Sequence, residues 1–213
     1  QIRQFSEKYE DKLHGGNDKL KPGDIIYRDV TGDGVIDDND RTMIGDPHPD
    51  VTMGLNINLG YKGFDFSVTG AGAFGQQILR TWANHDFLTE NLNKKIVYGS
   101  WKGEGTSNKL PLFDGFDTPN WKYMSAAMLE DGDYFKIQNV TLGYDFKRLW
   151  KSCPLQQLRV YVAANNLITF TKYTGMDPEI ASSGGTSDSW AAGIDTGVYP
   201  SPRTYLVGVN LKF

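Results

Sequence analysis

The 213 residues are 39% hydrophobic and 13% aromatic, with a formal net charge of −4. That charge argues against a nucleic-acid partner, and the single cysteine, Cys153, excludes an internal disulfide framework and reads as a lone buried thiol. No run of about eighteen apolar residues occurs, which excludes a membrane helix; membrane strands, in which every second residue can be polar, remain open.

The opening residues, QIRQFSEKYED, carry no initiator Met and no apolar signal core, so the expectation is a fragment that begins inside a longer protein. Residues 1–22 are charged and aperiodic and read as linker or loop. Residues 24–28, DIIYR, are a short strand candidate, followed by an Asp-, Gly- and Pro-dense loop to residue 50. From Val51 the pattern changes. Val51, Met53, Leu55, Ile57, Leu59 and Tyr61 fall on one face of an extended chain; Thr52, Gly54, Asn56, Asn58 and Gly60 fall on the other. Lys62 and Gly63 make a two-residue turn. Residues 64–75 then place Phe64, Phe66, Val68 and Phe74 on one face, interrupted by Gly70 and Gly72, with Asp65, Ser67, Thr69, Ala71 and Ala73 opposite. The two segments predict a long hairpin.

Residues 76–132 read as a long irregular excursion with a short helix somewhere in 78–99. A strand is expected over 133–146, where Val140, Leu142, Tyr144 and Phe146 share a face. Phe135 and Ile137 fall on the other, so the phase slips near Gln138 and Asn139, the sign of a bulge. A further strand is expected over 158–170, with Leu158, Val160, Val162 and Ala164 on one face, then a long loop over 171–200. The final strand, 203–213, places Tyr205, Val207, Val209, Leu211 and Phe213 on one stripe.

Connections therefore alternate between short (Lys62 and Gly63; about 147 to 157) and long (29–50, 76–132, 171–200). Short turns at one end of antiparallel strands and long loops at the other describe an outer-membrane barrel; an all-β sandwich has turns of similar size at both ends. Eleven residues at about 3.4 Å, tilted near 45°, span roughly 25 Å, the height of a barrel's apolar band. The polar faces are rich in Asn, Gly, Thr and Ser, which suits a wet lumen. Tyr61, Phe64, Tyr144, Phe146 and Phe213 gather at the short-turn end as an interfacial girdle would. Five strands cannot close a wide barrel, so the rest is expected upstream of Gln1.

Four blocks, GDIIYRDVTGDGVIDDNDRTMIGDPHPDVTMGLNINLGYKGFDFSV, DGDYFKIQNVTLGYDF, LRVYVAANNLITFTKYTGMDPE and YPSPRTYLVGVNLKF, resemble, in the same order, the C-terminal end of SusC/RagA-type TonB-dependent outer-membrane transporters. The resemblance covers most of residues 23–213. It implies an all-β fold in which these are the last five strands of a 22-stranded transmembrane barrel of a Gram-negative outer membrane. It also implies import of oligosaccharides or peptides under a SusD-like surface lipoprotein lid, with the plug and the TonB-contacting segment upstream. Tyr205, Val207, Val209, Leu211 and Phe213 then look like the signal that the barrel assembly machinery reads.

Residues 29–40, DVTGDGVIDDND, fit the positions of a calcium loop: Asp29, Thr31, Asp33, the carbonyl of Val35, Asp37 and Asp40, with Gly34 at the sharp turn. Thr31 replaces the usual Asp or Asn and Asp40 the usual bidentate Glu, and an ion-free Asp/Gly turn is the plain alternative. A structural Ca²⁺ would stiffen an extracellular loop. His14, His48 and His85 are scattered and read as solvated loop residues, and no nucleophile motif occurs, so no enzyme is expected. Trp82, Trp101, Trp121 and Trp190 sit in the long loops, where they anchor the loop, meet the lid or stack on a sugar. No substrate-binding residue is assigned. The alternative function is a secreted all-β carbohydrate-binding or adhesion module with a structural calcium.

Overall fold

The computed structural model describes residues 22–81, 94–112, 120, 124–150, 152–179 and 192–213, and the chain divides into two compact units. The larger comprises residues 46–79 and 130–213. Its frame is a five-stranded sheet whose strands run in the order β1 (Val51–Tyr61), β2 (Phe64–Phe74), β7 (Tyr134–Asp145), β8 (Gln157–Thr171) and β10 (Thr204–Lys212). Each neighbouring pair is antiparallel.

Local chemistry sets the register. Lys62 and Gly63 both take positive φ, 48° and 92°, the turn whose twist matches that of a two-residue hairpin. That turn pairs Tyr61 with Phe64 and carries strict one-to-one pairing up to Val51 and Phe74. Because side chains alternate, one register step fixes every residue's face. Between β2 and β7 the register shifts after Thr69, which pairs with Asn139, while Gly70 pairs with Ile137. The unpaired Gln138 is the bulge at the sequence's phase slip. It returns Phe135 and Ile137 to the face of Val140, Leu142 and Tyr144. Strand β8 answers with its own irregularity, where Asn166 takes a φ of 52° and the pairing moves from Asn165 to Ile168.

A second sheet of three short strands has the order β6 (Leu129–Asp131), β3 (Gln77–Arg80) and β9 (Ile194–Asp195). The excursion over 76–132 is thus less irregular than its sequence suggests; it also holds helix α1 (Lys94–Gly99) and a two-stranded sheet of β4 (Ser100–Trp101) and β5 (Leu110–Leu112). Inside the larger unit, Ile78 is fully buried against Tyr173. Backbone bonds from Gln77 N–H to the Asp46 carbonyl (2.8 Å), Leu79 N–H to Gly193 (2.7 Å) and Gly132 N–H to Gln76 (2.9 Å) tie the three segments together.

In the smaller unit, residues 24–28 do not form the strand expected of DIIYR. Asn120 claims their backbone instead: its side-chain oxygen accepts from Ile25 N–H at 2.6 Å, and its amide donates to Asp24 at 2.9 Å and to the Leu112 carbonyl at 3.3 Å. Ile26 and Tyr27 pack on buried Ile36.

Candidate functional site

Reading across the register, one face of the five-stranded sheet carries Leu55, Ile57 and Leu59 from β1, Val68 and Phe66 from β2, and Val140 and Leu142 from β7. It continues through Val160 and Val162 of β8 to Val207 and Val209 of β10. Much of this face is exposed, with Leu59 at 60%, Phe170 at 58% and Val207 at 79%, while Phe66, Val68, Val140 and Val160 are half-buried between neighbouring strands. Five strands about 4.8 Å apart and eleven residues long present on the order of 800 Å² of projected area. Soluble monomers seldom leave more than a few hundred Å² of contiguous apolar surface uncovered. The stripe Tyr205, Val207, Val209 and Leu211 belongs to this face, and Phe213 follows it, 84% exposed.

The opposite face is polar. Asn58 donates to Asn56 within β1 (2.8 Å), Thr141 donates to Asn139 within β7 (3.1 Å), and Asn139 donates across to Asn165 of β8 (2.7 Å). Near the short turns, Arg159 grips Asp65 with two parallel bonds, one of them Nε to Oδ1 at 2.8 Å, reaching from β8 over β7 to β2. The bridge passes over Gly143, where a Cβ would lie 2.5 Å from Asp65 Oδ1 and 2.6 Å from Arg159 Nη2. Arg159 also stacks on the Tyr161 ring at 4.8 Å, and Tyr161 lies over Gly208.

Towards the long loops the same face holds an ion triad that sequence reading missed. Lys136, whose side chain is 3% exposed, donates to Asp177 at 3.1 Å and Glu179 at 2.7 Å. Asp177 also accepts the backbone N–H of Ser201 at 3.3 Å. One buried ammonium thus fastens the segments 172–179 and 198–203 to the sheet. Close by, Tyr173 donates its hydroxyl to Asp195, and Thr174 bonds Glu130 through both N–H and hydroxyl, each at 2.8 Å.

In the smaller unit, residues 29–40 close on themselves. Asp29 accepts the N–H groups of Gly32 (2.5 Å) and Gly34 (2.8 Å), and Gly34 has the positive φ, 85°, that its sharp turn needs. Asp40 accepts from Val30 and Thr31 N–H with one oxygen and Asp37 N–H with the other, which holds its carboxyl below the usual carboxylate range. Asp33 caps Val35 N–H and Asp37 caps Asn39 N–H, both at 2.8 Å. Residue types and turn suit calcium, but among the described residues no three Asp, Glu, His or Cys side chains converge as a metal cage.

Trp101 packs over Gly23, where a Cβ would sit 2.3 Å from Cε3, and so anchors its loop. Trp82, Trp121, Trp190, His14 and His85 lie outside the described residues. His48 is an exposed loop residue, and Cys153 is a buried free thiol.

No model of a known protein family matches the chain. Among curated proteins it is 33% identical to TonB-dependent receptor P3 of Formosa agariphila, over 94% of this chain and 20% of that protein. It is 30% identical to TonB-dependent receptor SusC of Bacteroides thetaiotaomicron, over 91% of this chain and 18% of that protein. Over nearly its whole length the chain is similar to a section of TonB-dependent receptors of the SusC kind. It spans about a fifth of the length of the curated relatives it matches. The relatives are receptors and transporters, not enzymes. Solved structures of the RagAB peptide importer share the fold: the closed-closed state has a TM-score of 0.59 at 21% identity, covering 78% of this chain and 18% of that one. The open-open state gives 0.56 at 22%, covering 78% and 17%. The five-stranded sheet is accordingly a section of barrel wall.

Proposed function

We propose that this chain forms part of the wall, lumen lining and extracellular loops of an outer-membrane importer that takes up oligosaccharides or peptides. The observation that carries the reading is the uncovered apolar face, continuous over five strands, backed by an amide-rich polar face. Hydrocarbon suits the first and a wet lumen the second. On this reading β10 presents Tyr205, Val207, Val209, Leu211 and Phe213 both to lipid and to the barrel assembly machinery. The relatives named SusC and RagAB support a surface lipoprotein of the SusD kind as partner and TonB as the source of work, through segments outside these residues.

The test is uptake by Gram-negative cells with and without the full-length protein, offered labelled oligosaccharides and labelled peptides, before and after a protonophore collapses the inner-membrane gradient. Protein-dependent, protonophore-sensitive uptake of one class is expected; uptake indifferent to the protein contradicts the reading. A full-length protein that stays soluble and monomeric without detergent, and binds glycan, would establish the secreted-module alternative instead.

For residues 29–40 the proposal is a structural Ca²⁺. Oxygen donors at the spacing of a calcium loop, and a Gly34 already in its turn conformation, support it. Calcium titration followed by calorimetry should show one site that Asp29→Asn abolishes; heat-silent titration would establish the self-capped turn as ion-independent.

A further inference from the structure

At the short-turn end of the sheet two connections are locked to each other. Asp145 N–H donates to the Gly63 carbonyl at 2.8 Å, and the stem of Arg148 lies so close to Gly63 that a Cβ there would sit 2.9 Å from its Cδ. Lys62, beside Gly63, extends over the Tyr61 ring at 5.1 Å. Both cations are exposed, and among the described residues no carboxylate pairs with either. The acids at this end are turned away. Asp65 and Asp145 lie on the polar face, where Asp65 is held by Arg159 and Asp145 caps Lys147 N–H at 3.0 Å.

Directly above lies an aromatic shelf on the apolar face. Phe64 and Tyr144 pack with centroids 4.4 Å apart, and Phe146 meets Tyr144 edge-on at 5.1 Å. Leu149 and Trp150, 71% and 57% exposed, project from the turn that follows. Aromatic rings belong at the headgroup level of a bilayer. A charge that must sit just beyond them, against two uncompensated cations, is negative.

We propose that Lys62 and Arg148 form a binding site for the phosphate of an anionic phospholipid, whose acyl chains run up the Phe64, Tyr144 and Phe146 shelf. The guanidinium offers a fork to two phosphate oxygens, and the ammonium supplies a point charge. The inference rests on the membrane reading of the apolar face and adds to it a preferred lipid.

The full-length protein in nanodiscs of equal phosphatidylglycerol and phosphatidylcholine tests it, by native mass spectrometry of the lipids that stay bound. The native protein should retain phosphatidylglycerol by up to about thirtyfold over phosphatidylcholine, if each cation contributes as basic residues near a bilayer do. Lys62→Asn, which tolerates the positive φ, combined with Arg148→Gln should bring retention near parity. The native preference should also shrink as salt rises. Equal retention of the two lipids by the native protein, or a preference untouched by the double substitution, overturns the site while leaving the barrel intact. A protein that never enters the nanodisc overturns the membrane reading and this site with it.

Discussion

Replacing Lys136 by Met removes the one cation from the triad while keeping the length of the side chain. Breaking a buried ion pair by deleting one partner costs about 3–5 kcal/mol, because the abandoned charge stays desolvated. Two features reduce that here. The Glu179 side chain is 36% exposed and can be rehydrated. Asp177, at 6%, keeps backbone donors from Glu179 at 3.1 Å and Ser201 at 3.3 Å. The net cost is therefore about 2–3 kcal/mol, local to the segments that the triad fastens. Hydrogen–deuterium exchange of the full-length protein reads it: peptides covering 172–179 and 198–203 should open about 30- to 150-fold more often, with β1 and β2 unchanged. Lys136→Met combined with Asp177→Asn and Glu179→Gln should regain most of the protection, since no unpaired charge remains. Unchanged exchange in the single variant, or a triple variant as labile as the single, would refute the reasoning.

Gly143→Val should displace the Asp65–Arg159 bridge and lower barrel stability by about 1–3 kcal/mol, read as the thermal unfolding midpoint; Gly54→Ala, whose Cβ meets nothing within 4 Å, serves as the control and should stay within about 0.5 kcal/mol. A midpoint equal in the two variants contradicts the account of Gly143. The folded-state pKa of Asp40 is lowered by backbone donors, so its contribution to the 29–40 turn is present above the ordinary carboxylate range and is lost as pH falls through the lowered value. Carboxyl NMR should place its midpoint below that of an ordinary aspartate, and a midpoint at or above the ordinary value would show that the turn does not hold the anion.

How much of this was legible follows from sequence distance. The alternation in β1, β2 and β10 needs only neighbours to read, and the phase slip at Gln138 is visible because the apolar residues change sides within one strand. Lys136 gave no such signal. On a polar face it looks like any solvated lysine, and its partners Asp177 and Glu179 lie 41 and 43 residues on, in a stretch that reads as loop. Asp65 and Arg159 are 94 residues apart, and the cue for their pairing is Gly143, a glycine whose reason appears only when three strands are side by side. The error at residues 24–28 has the same origin. DIIYR has strand composition, but Asn120 captures its backbone, and propensity yields to a tertiary partner. Strands of two to four residues, such as β3, β4 and β9, are too short to show a period at all.

The central claim is that lipid covers the apolar face of this sheet, and site-directed spin labelling along β1 tests it most directly. In a background with Cys153 and every other cysteine of the full-length protein replaced by serine, single labels at residues 51 to 61 in a bilayer would be scored for collision with oxygen and with a water-soluble nickel chelate. Oxygen should dominate at Val51, Met53, Leu55, Ile57, Leu59 and Tyr61, and the chelate at Thr52, Gly54, Asn56, Asn58 and Gly60, with a period of two. Labels shielded from both reagents at Leu55, Ile57 and Leu59 would mean that protein, not hydrocarbon, packs on that face.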